Sequence, residues 1–232
     1  MCELAVVAAP ADVAFSQLHG WALRMEQLGV TGFGWGVAWL QHGEVHRYRR
    51  PVPLADDDVA SEALRDVRSS RFLIHFRRPS QLLTAGTPDT QPFLAEDRSF
   101  AFGHNGFFVN HEQHRARLLP RLHGTADSEI GFQLLEDFAA AGSPPAGKLQ
   151  RVHEVLGGEA NFACLSVSGA LDVYAGCTLN AMWKFRTGEL TLATTSLNSA
   201  DDAIFQMVFT DAQDKTLLSG AASVAPPVTG SA

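Results

Sequence analysis

The sequence predicts a layered α+β domain. Apolar runs of strand length stand near both ends of the chain, and segments with helical spacing of apolar residues lie between them. A hydrophobic content of 46% over 232 residues supplies apolar surface for a substantial core.

Residues 2–8 form a short apolar run, read as a buried strand because Pro10 follows closely. Asp12 is placed to cap a helix reaching Gly29, with Phe15, Leu18, Leu23 and Leu28 on its apolar face. A glycine-interrupted strand covers 32–40, turns at Gln41-His42-Gly43 and returns to Arg50. The acids Asp56-Asp57-Asp58 open a helix to about Arg68, since carboxylates suit a helix N-terminus. Arg71–Phe76 reads as a buried strand, and Ser99–His104 as another closed by Asn105-Gly106. Asp127 begins a helix that ends in a Gly142–Pro145 breaker, and a further helix spans about 147–156. Strands follow at Asn161–Val167, Leu171–Cys177, Ala181–Arg186 and Glu189–Thr194. The expected domain is 2–222, with 223–232 a flexible tail.

Composition removes several function classes. Lys+Arg 18 against Asp+Glu 25 gives −7, which disfavours a nucleic-acid surface. The short basic cluster His46-Arg47-Tyr48-Arg49-Arg50 reads as a solvated strand end. No apolar run approaches the roughly 20 residues needed to cross a bilayer, and no basic region precedes an apolar one at the start. A cytoplasmic protein without membrane contact is expected. Cys2, Cys164 and Cys177 form no CxxC pair, which suits a reducing compartment, and the last two are expected to be buried and inert. The histidines 104, 111, 114 and 123 show no metal-site spacing with Cys or carboxylates, so no metal is expected.

Four pieces carry chemistry. If Met1 is removed, Cys2 presents a thiol of pKa about 8.5 beside an α-amine of about 7.7–8.0, which can accept the thiol proton. A cysteine there also suits the first strand as a plain small residue. Arg77 follows an apolar strand and precedes Arg78-Pro79-Ser80, so its planar fork is available to a carboxylate or simply to solvent. His75, just inside that strand, fits a hydrogen-bonded core histidine. Asn105-Gly106 is either a hairpin turn or a pair of donors aimed at an oxyanion, each contributing on the order of 3 kcal/mol. Asp127 and Ser128 are either helix caps or, for Asp127, a partner for a substrate ammonium.

Taken in order, Met1-Cys2-Glu3-Leu4, Gly34-Trp35-Gly36-Val37, His75-Phe76-Arg77, Pro92-Phe93, His104-Asn105-Gly106 and Thr125-Ala126-Asp127-Ser128-Glu129 resemble the class II glutamine amidotransferases. The resemblance is tight over 2–135, looser afterwards, and leans toward the stand-alone branch that includes the γ-glutamyl hydrolase of ergothioneine biosynthesis. It implies the four-layer α/β/β/α sandwich of N-terminal-nucleophile hydrolases. It also implies that Cys2 is the nucleophile with its α-amine as base, and that Asn105 and Gly106 form the oxyanion hole. Arg77 would hold the glutamine α-carboxylate, Asp127 the α-ammonium, and Ser80 would add a hydroxyl near the carboxylate. The implied substrate is glutamine or a γ-glutamyl small molecule, with no cofactor and with either a separate synthase subunit as partner or plain hydrolysis. Two residues depart from the family pattern: Phe33 stands where Asp is usual before Gly-Trp-Gly, and Gln91 where His is common before Pro-Phe. Both are expected to reshape the pocket wall. The alternative reading is a non-catalytic glutamine-binding or scaffolding module of the same fold. A third, an acylase acting on another amide, would not need both Arg77 and Asp127.

Overall fold

The computed structural model describes residues 1–141, 145–199 and 201–227. The chain opens with β1 (Glu3–Ala14), which runs past Pro10 rather than stopping before it. Pro10 lacks an amide proton, and its stretch sits where the register against the next strand breaks, between Ala8 and Val13. The first helix, α1 (Phe15–Leu28), therefore starts two residues later than a cap at Asp12 predicts, with Ala14 at its N-cap and the Gln17 side chain accepting the Ala14 N–H at 2.9 Å. The hairpin of β2 (Trp35–Gln41) and β3 (Glu44–Arg50) is as expected. His42 and Gly43, both at positive φ, make its two-residue turn.

The acidic run after it does not make a long helix. Asp57 is buried, accepting from the Trp35 indole N–H at 3.0 Å and from the Tyr48 hydroxyl, so the carboxylate belongs to the core. Only a short turn, α2 (Ala60–Ala63), precedes β4 (Arg68–Phe76). Next come β5 (Phe93–Leu94), β6 (Phe100–Phe107), α3 (Glu112–Leu118), α4 (Asp127–Ala140) and α5 (Pro145–Leu156). The chain ends with β7 (Glu159–Ser166), β8 (Leu171–Gly176), β9 (Met182–Thr187), β10 (Leu190–Thr195), α6 (Asp202–Val208), β11 (Gln213–Leu217) and β12 (Gly220–Ser223). Most of the predicted breaker at Gly142–Pro145 lies outside the described residues. Of the expected tail, Ser223 closes β12 and Val224 is buried, its N–H donating to Leu171 O at 2.8 Å; 228–232 lie outside the described residues.

Two antiparallel sheets result. One has seven strands in the order β11-β9-β10-β1-β4-β2-β3, and the other five in the order β12-β8-β7-β6-β5. Alternation along β1 shows how they stack. Leu4, Val6 and Ala8 face the second sheet, meeting Ala101, Ala163 and Leu165, while Ala5 and Val7 face Leu18, Ala22 and Met25 of α1. The far face of the five-stranded sheet packs Phe102 and Phe162 against Ile130 and Leu135 of α4 and Val152 of α5. The layers are therefore helix, sheet, sheet, helix. Small residues let the two sheets approach, most closely at Gly103, where an added Cβ would lie 2.7 Å from Leu4 Cδ1. That contact brings β6 beside the start of β1.

Candidate active site

Four distant stretches of chain meet at a cavity of about 560 Å³ lined by Cys2, Arg77, Ser80, Gly106 and Asp127 among others. Cys2 precedes β1, and β1 pairs with β4 so that Glu3 lies opposite Phe76; this places the residues after Phe76 beside Cys2. The Arg78 N–H donates to Cys2 Sγ at 3.4 Å. Burial pushes the Cys2 thiol above its ordinary pKa, opposed by the Arg78 hydrogen bond and by the Arg77 guanidinium.

Arg77 is almost fully buried. One terminal nitrogen donates to Thr84 O and Thr84 Oγ1, each at 2.8 Å, and the other to Asp89 O. The fork is thus largely held by the protein, and Nε is the buried donor with no partner among the described residues. Asp127 is the first residue of α4, not its cap; Ala126 takes the cap position without a side-chain bond. The Asp127 carboxylate, half-buried on the cavity wall, accepts the Phe108 N–H at 2.8 Å. Ser80 is exposed at the rim.

The expected turn at Asn105-Gly106 is absent. β6 runs on through both residues, paired with Asn161 and Ala160 of β7. Gly106 has φ +138°, and an added Cβ would lie 1.9 Å from Glu159 O. Glycine is therefore needed there for the neighbouring strand, not only for approach to a ligand. Gly106 lines the cavity, whereas Asn105 is fully buried and its amide donates to the Cys2 carbonyl oxygen. The sequence reading aimed that amide at an oxyanion; here one of its protons is already committed.

The site's histidines serve the framework. His75 and His104 are buried, and desolvation holds their pKa values down to about 3 and about 4, so both are neutral near pH 7. His75 Nε2 lies 3.2 Å from His104 O, and His104 Nδ1 lies 2.8 Å from Ser128 Oγ. Among the described residues, no group of three or more His, Cys, Asp or Glu side chains is gathered as a metal site.

Residues 1–175 match the family model of the class-II glutamine amidotransferases. The chain belongs to that family. Among solved structures, a glutamine phosphoribosylpyrophosphate amidotransferase from B. subtilis, complexed with ADP and GMP, is similar at TM-score 0.71 and 15% identity, over 96% of this chain and 48% of its own. This chain spans about half the length of that enzyme. A glutamine aminotransferase class-II domain protein from Silicibacter pomeroyi matches at TM-score 0.61 and 18% identity, over 96% and 98% of the two chains. A predicted glutamine amidotransferase from Pseudomonas aeruginosa matches at 0.54 and 16%, over 97% of each. At these identities the likeness shows the fold alone, two antiparallel sheets with helices as in these amidotransferase structures. No curated protein matches by sequence. No helix among the described residues is long and apolar enough to cross a membrane.

The two departures from the family pattern sit differently in the structure. Gln91 is fully buried; its Oε1 accepts the His104 N–H at 2.6 Å and its Nε2 donates to His104 O at 3.3 Å. The side-chain amide extends the β6 ladder just ahead of the start of β5, and so braces the strand that carries Asn105 and Gly106. Phe33 is exposed, and it contributes through its backbone: the Phe33 N–H donates to Arg77 O at 3.2 Å and Arg77 N–H to Gly34 O at 2.7 Å.

The sequence reading missed an amide network behind Cys2. Asn161 Nδ2 donates to Asn105 Oδ1 at 3.0 Å and to Asn180 O at 2.7 Å, while Asn180 Nδ2 approaches Cys2 O at 3.3 Å. Asn180 Oδ1 accepts from Ser196 Oγ at 3.0 Å and from the Asn198 N–H at 3.1 Å. The available signal was an asparagine, Asn161, inside an otherwise apolar strand, since a buried amide there requires partners. Asp89 was also missed; its Oδ1 accepts the N–H groups of Thr125 and Ala126 at 2.8 and 2.7 Å, fixing the approach to Asp127.

Proposed function

We propose that this chain hydrolyses the γ-amide of glutamine, or of a close γ-glutamyl compound, through a thioester on Cys2 after Met1 is removed. The observation that carries the reading is the Cys2 sulfur, fixed by the Arg78 N–H at a cavity that Arg77, Gly106 and Asp127 also line. Burial keeps the thiol protonated near neutral pH, so attack requires a base. The α-amine of the same residue, with a pKa of about 7.7–8.0, takes the proton as sulfur bonds to the carbonyl carbon of the γ-amide.

Negative charge then develops on the carbonyl oxygen. Gly106 and the second proton of the Asn105 amide are the donors assigned to it, the first proton holding the Cys2 carbonyl. The α-ammonium returns its proton to the leaving nitrogen, ammonia departs, and a γ-glutamyl thioester remains. Water, deprotonated by the same amine, attacks the thioester, releasing glutamate and the thiol. The unpartnered Arg77 Nε is the donor assigned to the substrate α-carboxylate, with Ser80 at the rim, and Asp127 is assigned to the α-ammonium. A substrate lacking the α-carboxylate leaves the buried Arg77 donor unpaired, a loss of about 2–5 kcal/mol, and one lacking the α-ammonium loses the half-buried Asp127 partner. Whether ammonia passes to a separate synthase subunit or is released is read by assaying the purified chain with glutamine alone.

The test is Cys2→Ala alongside a form in which Met1 is retained, both in a glutaminase assay. Loss of glutamate release in both supports the reading; full activity in either overturns it.

A further inference from the structure

Glu3 is the only carboxylate directly attached in sequence to Cys2, and it is fully buried. Its Oε2 accepts from the Thr195 hydroxyl, its Oε1 from Asn198 Nδ2, and Asn180 Nδ2 lies 3.3 Å from both oxygens. Such a carboxyl is expensive to bury and is not needed to fill space, because β1 is otherwise apolar at its start. The same Asn198 nitrogen that touches Glu3 donates to the Met1 carbonyl at 3.1 Å. That carbonyl belongs to the peptide whose nitrogen becomes the Cys2 α-amine once Met1 is cleaved. The carboxyl is therefore fixed beside the place where the new amino group forms.

We propose that Glu3 is a positioning residue for the N-terminal base: its carboxylate, clamped by Thr195, Asn180 and Asn198, orients the α-amine of Cys2 and stabilises its protonated form. The proposal rests on Cys2 being the processed nucleophile. In the chain that retains Met1, burial raises the Glu3 pKa to about 8, opposed by the hydrogen bonds from Thr195 and Asn180 and by the amino-terminal charge on Met1.

Other ionisable groups surround this spot. On β4, His75 is neutral and the Arg77 charge acts on the thiol. On α1, the Glu26 carboxylate is tied to the N–H groups of Leu54 and Ala55. After β8, burial raises the Cys177 thiol, which stays protonated. None of these supplies a negative charge to the amine, so Glu3 is assigned that role. Asn180, which touches both Glu3 and the Cys2 carbonyl, links the clamp to the thiol residue.

The experiment is the pH profile of kcat/KM for glutamine in wild-type, Glu3→Gln and Glu3→Asp proteins, with Met1 removal confirmed by mass for each. Removing the neighbouring negative charge lowers the midpoint of the rising limb by about one pH unit. Glu3→Asp keeps the charge but withdraws it by a methylene, so its midpoint falls part of the way. Iodoacetamide alkylation of Cys2 against pH follows the thiol separately, and its midpoint falls in the same direction. Profiles at the wild-type midpoint in both variants, whatever the rates, overturn the proposal and leave Glu3 as a fold residue. Activity that survives Cys2→Ala instead overturns the underlying mechanism, so the two failures are distinct.

Discussion

Replacing Gln91 by methionine keeps the volume and removes the amide that extends the β6 ladder. His104 O retains His75 Nε2 as a partner, but the buried His104 N–H loses its only side-chain acceptor, Gln91 Oε1 at 2.6 Å. An orphaned buried amide costs about 1–3 kcal/mol. At roughly 2–4 °C per kcal/mol for a chain of this size, a cost of about 2 kcal/mol lowers Tm by about 4–8 °C. The functional effect is larger than that loss, because the next two residues are Asn105 and Gly106. A displacement of about 1 Å in such groups reduces turnover by about a hundredfold. Thermal unfolding and steady-state glutaminase kinetics of Gln91→Met measure both. A variant with wild-type Tm and unchanged kcat/KM would refute the bracing role and return Gln91 to the status of a wall residue.

Other expectations follow from the same geometry. Gly106→Ala forces a Cβ against Glu159 O at a φ that L-residues rarely adopt, so thermal unfolding should show a loss of about 1–3 kcal/mol or more, with glutaminase activity abolished. Arg77→Lys cannot reproduce the planar fork that serves Thr84 and Asp89, and kcat/KM for glutamine should fall at least about thirtyfold, or about 2 kcal/mol. In protein that keeps Met1, Glu3 binds a proton in the folded state up to about pH 8 but in the unfolded state only below its ordinary value of 4.5. Stability from this group is therefore full below that ordinary value and is lost as pH rises toward 8, at a slope of up to about 1.4 kcal/mol per pH unit. Denaturant unfolding across that range should show the slope in the Met1-bearing protein and its absence in Glu3→Gln.

Much of the architecture was legible because strand and helix periodicities are local. The 35–50 hairpin, the helix from Asp127 and the strands from Asn161 to Thr194 were read within a few residues. The helix expected after Asp56 failed because its acids looked like a dipole-complementing start, while Asp57 is in fact an acceptor for Trp35 and Tyr48 of the preceding hairpin. The turn expected at Asn105-Gly106 failed for a similar reason. Asn-Gly is a strong hairpin signal in isolation, and only pairing with Asn161 and Ala160 keeps the strand straight through it. α6, β11 and β12 were not read at all; their short segments lack a sustained apolar period, and Lys215 rests on the Trp183 and Phe205 rings, a contact no local window contains.

The candidate site divides the same way. Cys2, Arg77, Gly106, Asp127 and Ser80 were named from sequence and line one cavity. What sequence could not show is how their donors are already engaged: Arg77 by two carbonyls and a hydroxyl, Asn105 by Cys2. The amides of Asn161, Asn180 and Asn198 were invisible as a network because each is an ordinary residue in its own segment.

The most direct measurement is intact-mass analysis of the purified chain before and after incubation with a diazoketone analogue of glutamine, with the modified peptide sequenced. A chain lacking Met1 that gains a single adduct on Cys2, in step with loss of glutaminase activity, is the predicted result. Full glutamate release from protein that still carries Met1, or inactivation through an adduct on another residue, would contradict it.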